Sequence, residues 1–295
     1  MNASLNRLSI SPDRPLDPLT LVVLRVIDGI LRKAGILYML VGATARDLLL
    51  FHVYGQAIKR ATYDLDFAIV VDSWEQFAAV KQLLVGTPGF VDEHREAQRL
   101  HYTSPGSGVS IVVDIIPFGP VATAEQRIEW PPDADIVMNV AAFSDVLASC
   151  VQIQVDVALV IPVASLPGLV VLKLFAWLDR KDERDVIDIQ RLMETYADAG
   201  NTDRLYEQEN EELERVDFDL ALGGAHLLGK DAYLVTNGNT RVQLIAAFTP
   251  DQVDNLVQKM ARSKSVFDDY TPYSAALLNG FLRGLGLASN TTPSS

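Results

Sequence analysis

Residues 64–71, Asp-Leu-Asp-Phe-Ala-Ile-Val-Val, form an apolar run whose only charges are two acids at its start. Side chains alternate faces along a strand, so Asp64 and Asp66 project to one side, about 7 Å apart at their Cα atoms. Leu65 and Phe67 then enter the core. Two carboxylates this close repel each other unless a cation lies between them. The run predicts a buried strand that carries either a cation site or a structural acid pair at its exposed end.

A third acid, Asp114, stands among the apolar residues of a second strand predicted over 109–116. A lone buried carboxylate is costly, so we expect a metal ion or a partner beside it. If the two strands are neighbours, the three acids can hold two Mg²⁺ ions about 4 Å apart, as nucleotidyl transfer often requires. An acid on the far side of the sheet, or a positively charged side chain lodged permanently among the three, would contradict this.

A strand-to-helix turn precedes the acids, at Gly42-Ala43-Thr44-Ala45-Arg46-Asp47. Residues 36–41 are predicted as a buried strand and residues 43–51 as a helix. Gly42 allows close backbone approach, and the N–H groups of the helix start, together with the Thr44 hydroxyl, can hold phosphate oxygens. Arg46, one turn into the helix, can add charge-assisted bonds to the same phosphates.

The remaining pattern divides the chain in two. Helices are predicted at 19–34 and 73–84, strands at 136–140 and 151–160, and Pro117 is expected to end the strand of Asp114. From Leu166 onward the pattern is helical, over 166–180, 183–197, 203–215, 217–228, 250–262 and 271–285, with turns at 223–224 and 237–239. We expect a polar N-terminal segment (1–18), an α+β domain (19–162), a mainly helical domain (163–287) and a frayed tail (288–295).

Charge and cysteine content restrict the partners. The chain has 38 acidic and 25 basic residues, a net charge of −13, which repels a long nucleic acid and mildly favours a small or cationic partner without excluding contact with one RNA end. A single cysteine excludes an internal disulfide or a Cys-rich zinc site, so a metal here must be a hard cation held by oxygen. Residues 1–18 lack the apolar region of a secretory signal, so we expect a cytoplasmic protein. The longest uncharged stretch, 157–172, is too short to span a bilayer, so we expect no membrane partner.

The order Gly42, then Asp64-Leu65-Asp66, then Asp114 on a later strand resembles the DNA polymerase β-type nucleotidyltransferase superfamily. Residues 170–188 are similar to its AbiEii-type branch, which includes toxins of toxin–antitoxin systems and typically shows a lysine, an arginine about two turns on, and Asp-x-x-Asp. The resemblance covers roughly residues 36–192. It implies an α+β fold, with a mixed sheet and flanking helices followed by a mainly helical C-terminal domain.

The resemblance also implies roles in the first domain. Asp64 and Asp66 would bind metal and triphosphate, while Asp114 would hold the catalytic metal and help to deprotonate the acceptor hydroxyl. Ala43 departs from the family, where a second glycine or a serine is usual, so Thr44 must supply any hydroxyl. The implied cofactor is two Mg²⁺ ions, with Mn²⁺ as a substitute.

In the helical domain the resemblance points to residues 173–188. Lys173 would meet the triphosphate, with Arg180 as a weaker companion. Asp185 matches a family acid that either activates the acceptor or orients Lys173, and Asp188 is a helix-face partner. The alternative is that both aspartates form structural pairs with neighbouring arginines.

The predicted reaction is attack by an acceptor hydroxyl on the α-phosphorus of a nucleoside triphosphate. An AbiEii-like toxin would modify RNA, such as a tRNA, or a protein, and a cognate antitoxin would be a further partner. A second interpretation is nucleotidylation of an aminoglycoside or another small molecule, since the acidic chain suits a cationic acceptor. A tRNA CCA-adding activity ranks third. The competing class is a non-catalytic nucleotide-binding or partner-binding module that kept the fold, with Ala43 as its main support.

Overall fold

The computed structural model describes residues 7–57, 64–93, 96–104, 106, 108–132, 135–265 and 268–287. The chain forms two compact units, residues 1–165 and 166–295. All described strands belong to the first unit, and the second is helical. The predicted α+β class, a mixed sheet followed by a mainly helical part, is confirmed.

The first unit alternates short strands and helices. In chain order its elements are β1 (Arg7–Ser9), α1 (Pro18–Lys33), β2 (Tyr38–Val41), α2 (Gly42–Asp47), a π-helical segment (Leu48–Val53), β3 (Asp64–Val70), α3 (Trp74–Val85), β4 (Phe90–Asp92), β5 (Arg99–Thr103), β6 (Ser110–Phe118), β7 (Arg127–Glu129), β8 (Val137–Asn139), α4 (Phe143–Ala148), β9 (Val151–Asp156) and β10 (Leu159–Val163).

Eight of these strands form one mixed sheet, in the order β1-β9-β10-β2-β3-β6-β5-β4. Strand β3 is antiparallel to β2 on one side and parallel to β6 on the other. Strand β5 lies antiparallel along the far side of β6. The acids at the start of β3 therefore lie in the interior of the sheet order, where Asp66 pairs with both neighbouring strands and Asp64 pairs with β6.

Helix α1 shows how local sequence sets an element. The side chain of Asp17 accepts a hydrogen bond from the backbone N–H of Thr20, and Pro18 occupies the first turn, where no intrahelical donor is needed. Gly35, with φ +70°, follows the helix end. The apolar face is buried at helical spacing through Val23, Leu24, Ile27 and Leu31. The prediction of a helix at 19–34 is confirmed.

Two predictions for the first unit are wrong. Pro117 does not end β6, which continues to Phe118; strand β5 pairs only as far as Asp114, so β6 needs no donor on that side at Pro117. Residues 151–160 do not form one strand, because a turn at Val157 separates β9 from β10 and folds them into an antiparallel pair.

The second unit contains eight described helices: α5 (Leu166–Arg180), α6 (Glu183–Thr195), α7 (Thr202–Gln208), α8 (Asn210–Arg215), α9 (Leu220–Val235), α10 (Gly238–Ala247), α11 (Pro250–Lys264) and α12 (Thr271–Gly284). The turn predicted at 223–224 is wrong. Both glycines lie inside α9, where a β-carbon at Gly224 would lie 2.9 Å from the backbone nitrogen of Ala197. Close helix packing, not a turn, requires them.

Two further differences concern how the helices of the second unit divide and begin. Residues 203–215 form two short helices instead of one. The turn predicted at 237–239 is the start of α10, whose N-cap Asn237 accepts a hydrogen bond from the backbone N–H of Thr240. No helix among the described residues combines the length and the hydropathy needed to cross a membrane. The tail predicted to fray, 288–295, lies outside the described residues.

Candidate active site

Asp64 and Asp66 open strand β3 and project from one face of the sheet. Leu65 and Phe67 lie on the opposite face and are buried. Asp64 is exposed and Asp66 is half-buried. The alternation therefore separates a charged face from an apolar face at the start of this strand.

Asp114 lies directly beside Asp66 on the neighbouring strand. The parallel register of β3 and β6 sets Asp66 opposite Asp114 and Asp64 opposite Val112. Residues opposite each other in a sheet project from the same face, and adjacent strands are about 4.8 Å apart. The side chain of Asp114 is only 13% exposed. The structure thus brings all three carboxylates to one face of two adjacent strands.

A fourth charged residue, Arg99, holds Asp114. Nε and Nη2 of its guanidinium lie 2.9 Å and 2.8 Å from the two carboxylate oxygens, a bidentate ion pair. Nη1 lies 2.7 Å from a carboxylate oxygen of Glu96. The hydrogen bonds to Asp114 are the main reason that the pKa of Arg99 is raised, with smaller contributions from Glu96 and Asp64. The partner expected beside a buried acid is therefore this arginine.

The fit to a divalent cation depends on which acid is considered. Carboxylate oxygens are the ligands that Mg²⁺ and Mn²⁺ prefer, and the two acids of β3 supply them on one face. Both oxygens of Asp114, however, face Arg99. Within the described parts of the chain, no three His, Cys, Asp or Glu side chains converge closely enough to hold a metal ion. The residues fit a cation at Asp64 and Asp66, and fit one at Asp114 only after Arg99 has moved.

Gly42 packs directly against Asp66. Its φ is +72°, in the left-handed region that favours glycine, and a β-carbon there would lie 2.0 Å from Oδ2 of Asp66. Ala43, next in the turn, is half-buried. The glycine thus allows the first residues of α2 to approach the carboxylate. The predicted backbone contact with phosphate oxygens stays a prediction.

Thr44 and Arg46 are engaged within the protein. The Thr44 hydroxyl donates to the backbone carbonyl of Asp64 at 2.6 Å, which ties α2 to β3. Arg46 is buried, and its guanidinium pairs with Asp47 at 2.7 Å. These bonds do not support the predicted phosphate contacts of either side chain. They hold the turn against the strand that carries the acids.

A second charged cluster lies within the helical unit. Nζ of Lys173 on α5 lies 3.1 Å from Asp185 and 2.7 Å from Asp188, one turn apart on α6. Arg180 makes a bidentate pair with Asp185, both distances 2.7 Å, and this bonding raises the pKa of Arg180. The Asp185 side chain is fully buried. The structure therefore brings together all four residues that the family pattern singled out here, with Asp185 bound to both cations.

Arg99 and Glu96 were missed by sequence reasoning. Arg99 begins β5, a strand of five residues whose alternating burial places Leu100 and Tyr102 in the core. That alternation was a usable signal for the strand. The ion pair itself depends on the antiparallel register that sets Arg99 opposite Asp114.

Solved structures give distant likenesses. An antigenic nucleotidyltransferase-like protein from Paracoccidioides brasiliensis is 16% identical, with 70% of this chain and 93% of that chain covered and a TM-score of 0.41. ANT(2″)-Ia, in complex with adenylyl-2″-tobramycin, is 12% identical over 68% and 97%, with a TM-score of 0.36. A CCA-adding enzyme in complex with CTP is 18% identical over 90% and 64%, with a TM-score of 0.32. No curated protein matches the sequence.

The family comparison is decisive. Residues 32–277 match the family described as nucleotidyl transferase AbiEii toxin, type IV toxin–antitoxin system. The match spans most of the chain and includes the turn at Gly42, the three acids of the sheet and the lysine cluster of α5 and α6. The chain therefore belongs to the AbiEii family and is a nucleotidyltransferase.

Proposed function

We propose that this nucleotidyltransferase moves an NMP group from a nucleoside triphosphate to a hydroxyl group of an RNA, with pyrophosphate as the leaving group, Mg²⁺ as the cofactor and Mn²⁺ as a substitute. One observation carries the proposal: the register of β3 against β6 sets Asp66 beside Asp114, with Asp64 on the same face. A scaffold has no need for three acids on one face of two adjacent strands, whereas transfer of an NMP group needs acids for a cation and a base.

Each acid has a distinct part in this proposal. Asp64 and Asp66 would hold the divalent cation, and a cation bound there would supply positive charge against the negative charge that develops on the phosphate. With Arg99 moved aside, one oxygen of Asp114 would take the proton of the acceptor hydroxyl and the other would be available as a further cation ligand. The backbone of Gly42 and Ala43, which approaches Asp66, is the proposed phosphate contact of the turn.

In the helical unit, Lys173 and Arg180 are the proposed contacts of the triphosphate. Both are bound by the buried Asp185, which fixes the direction of long side chains that otherwise lose entropy on binding. Asp185 is therefore proposed as a positioning residue for both cations. Asp188 pairs with Lys173 and is proposed as a positioning residue for that side chain alone.

The acceptor is proposed to be the end of an RNA such as a tRNA, and the family's toxin–antitoxin description supports a cognate antitoxin as a further partner. A net charge of −13 opposes contact along an RNA duplex but permits contact at one end. The same charge favours a second candidate, a small cationic acceptor of the aminoglycoside type. Modification of a protein is a third outcome of the test below.

The test measures which acceptor receives the label from an α-labelled NTP. The protein is incubated with Mg²⁺ and each of the four α-labelled NTPs, together with total cellular RNA, a protein extract or an aminoglycoside. We expect label in RNA, and we expect the Asp64→Ala plus Asp66→Ala variant to lose at least about 10³-fold in rate, since about 1.4 kcal/mol of transition-state stabilisation is worth tenfold.

The matched control is Asp72→Ala, which removes an exposed acid just beyond the other end of β3. We expect it to transfer label at the parent rate. Melting curves for every variant establish that the fold is kept. Transfer by the double variant near the parent rate would overturn the site, and label in the aminoglycoside alone would replace the RNA by the second candidate.

A further inference from the structure

The geometry points to Arg99 as an internal cation that competes with the divalent ion for Asp114. In the resting protein the guanidinium takes the position beside this carboxylate, and a metal ion reaches it only when the guanidinium leaves. This inference rests on the proposed metal-dependent transfer, because it concerns the same acids. It adds a residue that sets how tightly, and in which order, the site takes its cations.

The ion pair is built into the sheet. Arg99 and Asp114 are directly opposite each other in the antiparallel ladder of β5 and β6. Opposite residues lie close enough for their side chains to meet without a change in the backbone. Two parallel hydrogen bonds, 2.9 Å and 2.8 Å, then fix the planar guanidinium against the carboxylate.

Further acids hold the same guanidinium in place. Nη1 pairs with Glu96 at 2.7 Å, so hydrogen bonds hold the guanidinium from two directions. Asp64 adds an attraction to Arg99 across the face. Arg99 is therefore shared among acids of the site, which is the arrangement expected of a counter-cation.

A divalent ion and this guanidinium exclude each other at Asp114. Both are drawn to the same two oxygens, and like charges a few ångströms apart repel strongly where solvent screening is weak. Screening is weak here because the side chain of Asp114 is 13% exposed and that of Arg99 is 28% exposed. The expected order is a first ion at Asp64 and Asp66, then a weaker second ion at Asp114.

The test uses Mn²⁺ alone, without nucleotide, in the full-length protein. Free Mn²⁺ is counted by its electron paramagnetic resonance signal during a titration. We expect Arg99→Gln to bind the weaker Mn²⁺ at least about tenfold more tightly than the parent, because the competing charge is gone. Arg99→Lys keeps a charge at this position, and we expect its affinity to stay within about threefold of the parent.

Three controls separate competition from other causes. Arg127→Gln removes one exposed positive charge elsewhere in the first unit and is expected to leave the titration unchanged. Asp114→Asn combined with Arg99→Gln is expected to lose the gain, since the ligand is then absent. If Arg99→Gln does not fold, Arg99→Met keeps the apolar stem, removes the same charge and is expected to give the same gain in Mn²⁺ affinity.

The outcomes are distinguishable. If Arg99→Gln binds Mn²⁺ as the parent does, or more weakly, the inference about Arg99 is overturned. The proposed function still stands in that case, provided that the Asp64→Ala plus Asp66→Ala variant loses Mn²⁺ binding. No Mn²⁺ binding in any variant would overturn both. A gain shared equally by Arg127→Gln would show a general charge effect and would also reject the role of Arg99.

Discussion

Gly42 illustrates how one residue constrains the site. Its φ of +72° disfavours any residue with a β-carbon, and that β-carbon would fall 2.0 Å from Oδ2 of Asp66. The neighbour is a carboxylate held in a sheet strand, which has little freedom to move aside. A substitution of Gly42 would therefore strain the backbone and also displace the Asp66 side chain.

We expect Gly42→Ala to lower the free energy of unfolding by about 1–2 kcal/mol, the cost of a left-handed alanine. We also expect nucleotidyl transfer to fall by about 100-fold, because misplacement of a catalytic group by about 1 Å has that effect. Urea unfolding and the rate of label transfer measure the two effects.

Gly29 provides the matched control, because it lies within α1 and a β-carbon there would meet nothing within 4 Å. Gly29→Ala is expected to stabilise the protein by about 0.5–1 kcal/mol without a change in transfer rate. Equal activities of the two alanine variants would show that Gly42 does not position Asp66.

At the scale of elements, the pairing of helices α5 and α6 is organised by charges as well as by apolar faces. The side chain of Asp185 on α6 is fully buried. It makes a single contact with Lys173 and a bidentate pair with Arg180, both on α5. Asp182, at the N-cap of the same helix, pairs instead with the exposed Arg184. Two aspartates one turn apart thus have different energetic roles.

We expect Asp185→Asn to lower the free energy of unfolding by about 2 kcal/mol, less than the 3–5 kcal/mol typical of a broken buried pair because Arg180 is half exposed. Asp182→Asn should cost less than about 0.5 kcal/mol, since asparagine is an equally good N-cap and exposed pairs contribute little. Urea unfolding of both variants measures the difference. Similar losses would mean that the buried charges do not stabilise this helix pair.

Sequence pattern predicted most of the long elements, though not the ten-residue helix α10, and predicted the short ones poorly. Helices α1 and α5 and strand β3 follow from apolar spacing over seven or more residues. Strands β4 and β7 have three residues each, too few for a period to appear, and the alternation in β5 covers only five residues. The missed strand β5 carries Arg99, so the charge that competes for the site was missed with it.

For the whole molecule, the net charge of −13 makes a prediction about salt. A protein that contacts many RNA phosphates loses affinity steeply with salt, with a logarithmic slope of about −0.7 for each single-strand contact. An acidic protein that holds only an RNA end should show a total slope between 0 and about −2. The KM for RNA, measured at several salt concentrations and constant free Mg²⁺, gives this slope.

A steeper slope, about −5 or beyond, would reveal an extended basic surface and contradict contact limited to an RNA end. The internal control is the KM for the NTP in the same titration, which separates salt effects on the acceptor from those on the triphosphate. For a small cationic acceptor the acidic field attracts the substrate, so its KM should rise with salt because that attraction is screened.

Local pattern was enough to determine the strand with its two acids, the glycine turn, and the spacing of Lys173, Arg180 and Asp185 on successive helices, because each depends on residues within a few turns. Tertiary structure alone decided that β6 lies beside β3 in the register that joins Asp66 to Asp114. It also decided that Arg99, fifteen residues from Asp114 along the chain, occupies that carboxylate. The physical reason is that strand order and register come from pairing between distant segments, which the alternation of side chains within one strand does not encode.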